Sequence, residues 1–170
     1  MRTRAPEAGQ APAVRVQRAD RSQLKAPADG RFAQWIAAAA LAGKGTVTVR
    51  LVGLAESRRL NEGFRGRSGP TNVLAFPADA SLPAEEAELG DLVICLPLVY
   101  REAGEQGKKP FDHLAHLVVH GTLHLLGHDH DQPAKARRME HTETKILRGL
   151  GIANPYRVRS SSVAGRRGRT

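Results

Sequence analysis

Cysteine is nearly missing from this chain: Cys95 is the only one in 170 residues, so no internal disulfide can hold the fold together. It lies in an apolar run, where a buried core thiol is expected rather than a reactive one. Aromatic residues reach only 4%, which argues against the extended base-stacking platforms of single-strand nucleic-acid binders. No apolar stretch approaches the roughly 20 residues of a membrane-spanning helix. The basic N-terminus "MRTRAPEAGQAPA" has no apolar core of the kind a secretory signal requires. A cytoplasmic protein with no membrane partner is expected. Acidic excess is absent as well, since 26 Lys/Arg against 17 Asp/Glu leave a formal charge of +9. That charge is uneven: residues 1–31 carry +4, residues 157–170 carry +5, and residues 32–156 are neutral. Basic ends of this kind attract polyanions through phosphate contacts and counterion release, and as plain extensions they are solvated and mobile.

With 41% hydrophobic residues, the chain is long enough to bury a core without disulfides or a structural metal. Three stretches are expected: a mobile basic extension at 1–12, one domain at 13–156 and an Arg/Ser-rich tail at 157–170. Within the domain, "AVRVQ" (13–17) alternates as a strand does, and the Ala-rich helix 31–42 is closed by Gly43. "GTVTVRLVG" (45–53) is the clearest strand, and a helix over 54–64 follows. The turn-rich "GRSGPTN" (66–72) leads into the strand "VLAFP" (73–77), then an acidic loop and the apolar strand "LGDLVICLP" (89–97). Helices are expected at about 97–106, 112–127 and 133–150. The pattern is α+β: a small mixed sheet of about four strands packed against about five helices, the histidine-bearing helix central.

That helix contains "HGTLHLLGHDH" (120–130). Asp112 is placed to cap its start and Gly127 to end it. His116, His120 and His124 are spaced by four and share one face, while Leu117, Val119, Leu123 and Leu126 cover the sides that pack on the sheet. Two imidazoles one turn apart can grip one metal ion. A third ligand must come from beyond the helix, and Gly127 can adopt a left-handed conformation that swings His128 or His130 back. The pattern H-x-x-x-H-x-x-G-x-x-H selects His130, with His128 as the rival, and matches the long zincin spacing except for one residue. Where a zinc peptidase carries its catalytic glutamate, this chain has Gly121. Three neutral imidazoles with an open fourth position describe a catalytic zinc site. Asp129 and Asp131, or Glu140 and Glu143 on the last helix, are placed to orient an imidazole by accepting its second N–H. His116 and Glu140 are the candidate supporting residues. His113 and His141 read as ordinary histidines.

The run "HGTLHLLGHDH", preceded by "LNEGFRGRSGPTNVLAFP" (60–77) and "LGDLVIC" (89–95) and followed by "LGIANPY" (150–156), resembles the YbeY family of bacterial metal-dependent endoribonucleases. The likeness covers about residues 14–156, apart from a mild departure at Ala75, where the family often has serine. It implies a zinc ion on His120, His124 and His130, and a functional arginine at Arg65. It further implies cleavage of single-stranded RNA, maturation of ribosomal RNA including the 3′ end of 16S rRNA, and a part in ribosome quality control with ribosomal particles as partners. Zinc lowers the pKa of bound water to about 7, so a carboxylate base is not obligatory. RNA relaxes that need again, because its 2′-OH can attack the adjacent phosphorus. Arg65 suits phosphate oxygens, and with Arg58, Arg59 and Arg67 it forms a basic cluster able to hold an RNA backbone. Two rivals remain: a zinc peptidase, which Gly121 opposes, and a non-catalytic ribosome-assembly factor in which the metal only supports the fold.

Overall fold

In the computed structural model, residues 11–41, 45–79 and 88–157 are described. Of the two extensions only residues 11, 12 and 157 fall within that range, and Gly43 and most of the acidic loop lie outside it. The elements are β1 (Ala13–Arg18), α1 (Asp29–Ala39), β2 (Thr46–Val52), α2 (Leu54–Arg65), β3 (Val73–Pro77), β4 (Glu88–Cys95), α3 (Leu96–Gln106), α4 (Pro110–Leu125) and α5 (Pro133–Gly149). The four strands form one sheet in the order β1-β2-β4-β3, with β1, β2 and β4 parallel and β3 antiparallel at the edge. A small mixed sheet with five helices is therefore what forms.

Strand alternation divides the sheet's two faces. Val47, Val49 and Leu51 of β2 and Leu92 and Ile94 of β4 enter the main core with Phe32, Trp35 and Ile36 of α1 and Leu114, Leu117, Val118 and Leu123 of α4. Val52, Leu74, Val93 and Cys95 face the other way, into a smaller cluster with Leu60 of α2. Cys95 is a fully buried free thiol, and burial pushes its pKa up.

α4 is the central helix, packed against β3, β4, α1, α3 and α5. It begins earlier than the Asp112 cap implies. Lys109 is the N-cap residue and Pro110 opens the first turn, where its missing N–H costs nothing and its fixed φ suits the helix. Asp112 instead lies within the first turn, favourably placed for the helix dipole. α1 likewise starts at Asp29 and leaves helical geometry at Ala40, before Gly43. β4 ends at Cys95, and Pro97 belongs to the first turn of α3. Leu126 does not join the core: it is 39% exposed, at the point where the chain leaves α4.

Candidate metal centre

The end of α4 is built by Gly127, which takes φ +93°. Its N–H donates to the His124 carbonyl at 3.0 Å, and the His128 N–H donates to the Leu123 carbonyl at 3.0 Å. These paired bonds are the Schellman arrangement for a helix closed by a left-handed residue. The Asp129 carboxylate then accepts the backbone N–H of His130 at 2.7 Å and of Asp131 at 3.2 Å. Those bonds, His130's first, hold the Asp129 pKa low. Asp129 thus fixes the turn rather than an imidazole, and Asp131 pairs with Lys135 at 3.6 Å.

The turn brings His130 back against the helix. Nε2 of His124 lies 3.1 Å from Nε2 of His120 and 3.0 Å from Nδ1 of His130. Nitrogens bound about 2.0–2.1 Å from a tetrahedral zinc sit about 3.3–3.4 Å apart, close to this spacing. One ring nitrogen facing two others is poorly served by a single proton and well served by a central cation. The all-nitrogen donor set therefore fits a metal, and these three histidines form a group able to hold one. His120 and His124 are half-buried while His130 is exposed, so the cluster opens to solvent on one side. Burial, and then the neighbouring His120 and His130, lower the pKa of His124 and favour the neutral ligand form. His128 is exposed, and only His130 converges with the helical pair.

Behind the triad stands Glu143 of α5, fully buried. Its Oε1 accepts from Nδ1 of His120 and its Oε2 from the Tyr156 hydroxyl, while Nε2 of His116 lies 3.1 Å from Oε2. Burial opposes the Glu143 charge, yet hydrogen bonds from His116 and His120 prevail and bring its pKa to about 2. Burial, with Glu143 alongside, pushes the Tyr156 phenol far above its ordinary value. Glu140 is exposed and its carboxylate makes no hydrogen bond to a histidine among the described residues, so the carboxylate at the imidazoles is Glu143. Periodicity separates the two glutamates: Glu143 lies four residues from both Met139 and Leu147 on the buried face of α5, and Glu140 does not. Tyr156 carries no comparable signal, because its contact depends on the turn after α5.

Arg65 is exposed at the end of α2, and its Nη2 donates to the Ala75 carbonyl of β3 at 3.4 Å. No hydrogen bond joins it to the triad among the described residues. β3 connects the two, because Val73 packs beside Gly121 of α4. Arg58 pairs with Glu62 at 3.0 Å, and Arg59 and Arg67 are exposed. Sequence reading did not mark a second basic surface: an open cleft beside Gly127 and His128, lined by Lys135, Arg137 and Arg138. His113 is buried against Glu102 at 3.0 Å, and His141 is exposed.

The fold and the histidine cluster define a class: α+β proteins with an open, zincin-like metal-binding site on a helix and the turn that follows it. The family profile "Endoribonuclease YbeY" matches residues 15–151. The chain belongs to this family. It is 55% identical over 138 residues to an endoribonuclease YbeY of Alkalilimnicola ehrlichii, covering 78% of this chain and 83% of that one. A relative of the same name from Aromatoleum aromaticum is 50% identical over 146 residues, covering 85% and 92%. The solution structure of TM1509 from Thermotoga maritima matches with a TM-score of 0.56 and 25% identity, covering 81% of this chain and 88% of that one. No helix among the described residues is long and apolar enough to cross a membrane.

Proposed function

We propose that this protein cleaves RNA at internal phosphodiester bonds with a zinc ion held by His120, His124 and His130, and that it matures ribosomal RNA, including the 3′ end of 16S rRNA. The convergence of three ring nitrogens at 3.0–3.1 Å carries this reading. Family membership supports the choice of RNA as substrate. When bound, the metal supplies Lewis acidity at a phosphoryl oxygen and activates water.

The chain's own residues do the remaining work. Arg65 presents a planar fork of N–H donors suited to the charge that builds on phosphorus. Exposed Arg59 and Arg67, and Lys135, Arg137 and Arg138 in the cleft, hold flanking phosphates without reading bases. Arg58 joins them only by giving up Glu62. No carboxylate base stands at position 121 to activate water, and the RNA 2′-OH can act as nucleophile in place of water. Peptide hydrolysis is disfavoured, since Gly121 offers no base where a zinc peptidase carries its glutamate, and an added side chain there would meet Leu92. Ribosomal particles are the expected partners, ribosome quality control the expected setting and the cytoplasm the expected location.

His124→Ala is expected to lose zinc and RNA cleavage together. Arg65→Ala is expected to keep zinc and lose about 100-fold in cleavage rate, the size of one transition-state donor. Cleavage that persists in metal-free protein would refute the reading. Mapping the cut ends identifies the nucleophile: a 2′,3′-cyclic phosphate and resistance of 2′-O-methylated RNA mark the 2′-OH, whereas cleavage of methylated RNA marks water.

A further inference from the structure

We propose that Glu143 is the positioning residue of the metal centre: it holds His120 in the tautomer protonated at Nδ1, leaving the Nε2 lone pair for the ion, and Tyr156 holds Glu143 in turn. The inference rests on reading the histidine triad as a metal site, and it extends the centre to two residues outside the triad.

The geometry around His120 carries it. That ring is a bridge, with Nδ1 on Glu143 Oε1 and Nε2 3.1 Å from Nε2 of His124. A carboxylate at Nδ1 can only accept, so Nδ1 carries a proton, and in the neutral ring that binds a metal the lone pair is on Nε2. A carboxylate that accepts from an imidazole also raises that ligand's basicity. His116 is arranged by the same group. Its Nδ1 is buried without a partner, and a bare lone pair there is tolerated better than an orphaned N–H. The His116 proton therefore sits on Nε2, facing Glu143 Oε2 at 3.1 Å. With the Tyr156 hydroxyl, three donors converge on one carboxylate of zero exposure. The same contacts account for the other cluster of potential ligands, His116, His120 and Glu143, as a hydrogen-bonded group rather than a second ion site.

Tyr156 brings the chain's closing segment into the centre. Asn154 Oδ1 accepts the Tyr156 backbone N–H at 2.9 Å, and Lys108 Nζ donates to the Pro155 carbonyl at 2.9 Å. The segment is thereby fixed so that the phenol meets Glu143.

Three full-length proteins test this: the parent, Glu143→Gln and Tyr156→Phe. Zinc affinity is read by competition with a chelator, and ring tautomers by 15N NMR of the metal-free protein. Glu143→Gln is expected to weaken zinc binding about 10- to 100-fold and to shift His120 toward the Nε2–H tautomer. Tyr156→Phe is expected to weaken zinc binding less, in the same direction, and it decides the matter if Glu143→Gln does not fold. A purely structural role would lower the melting temperature of both variants and leave zinc affinity unchanged. Zinc binding in the parent with equal affinity in the folded variants, or a parent His120 protonated at Nε2, overturns this inference alone. A parent that binds no zinc overturns the metal reading itself.

Discussion

His113 and His120 stand two turns apart on α4, and their surroundings give them opposite duties. His120 has one ring nitrogen on a buried carboxylate and the other at the open cluster. His113 is 4% exposed and its Nε2 lies 3.0 Å from Glu102, a carboxylate that also accepts from Asn72 at 3.0 Å. Burial is the larger influence on His113 and lowers its pKa from 6.5, with Glu102 opposing. The sign of the stability effect follows. Below pH 6.5 the unfolded chain takes up a proton at this position before the folded protein does, so acid favours unfolding. The contribution is complete above 6.5 and is lost as pH falls from there toward the depressed folded value. The melting temperature of metal-free protein should therefore fall on acidification from about pH 7 to about pH 5.5, and His113→Gln should flatten that dependence. A variant with the same pH profile as the parent would show that His113 is not buried in its neutral form.

At the scale of the element, α4 lies so close to the sheet that position 121 has no room for a side chain. A Cβ there would stand 2.7 Å from Leu92 Cδ2 and 3.4 Å from Val73 Cγ2. Gly121 is thus a packing residue, and the same contact explains why no glutamate occupies the peptidase position. Overpacking of this size costs about 1–3 kcal/mol, against about 1 kcal/mol gained when alanine replaces glycine in a helix. Gly121→Ala should destabilise by about 1 kcal/mol. Adding Leu92→Val, which shortens the obstructing side chain, should recover part of that loss, so the two changes should couple in a double-mutant cycle read by denaturant unfolding. Strict additivity would contradict the contact.

Much of this element is legible in sequence. The spacing of His120, His124, Gly127 and His130 encodes both the shared helix face and the turn that returns the third ring, because helical period and left-handed glycine are local properties. The sheet order is not legible in this way. Alternation along β4 reports which residues face α4, but not that β4 lies between β2 and the antiparallel β3, since strand partners are set by distant packing. Pro110, rather than Asp112, was the informative signal for the start of α4. Glu143 was separable from Glu140 by its place on the buried stripe, whereas Tyr156 reaches Glu143 only through the tertiary fold.

For the molecule as a whole, charge and chemistry are separated along the chain. Residues 32–156 are formally neutral and contain the triad, whereas the last fourteen residues carry five arginines and no acid. The boundary between the two lies at the Tyr156 clamp, so two nearby truncations should behave differently. Ending the chain after Arg157 removes four arginines and leaves Tyr156 on Glu143. RNA affinity should then fall most at low salt. The slope of log affinity against log salt should flatten by up to about 3, at about 0.7 per phosphate contact on a single strand. Zinc content and the cleavage rate at saturating RNA should stay at parental values. Ending the chain after Asn154 removes those four arginines together with Pro155, Tyr156 and Arg157, and zinc affinity should drop as well. Titration of both proteins with a single-stranded RNA across a salt series, alongside chelator competition, separates the two effects. An unchanged salt slope in the longer truncate would remove the basic tail from RNA binding, and an unchanged zinc affinity in the shorter one would detach the closing segment from the metal centre.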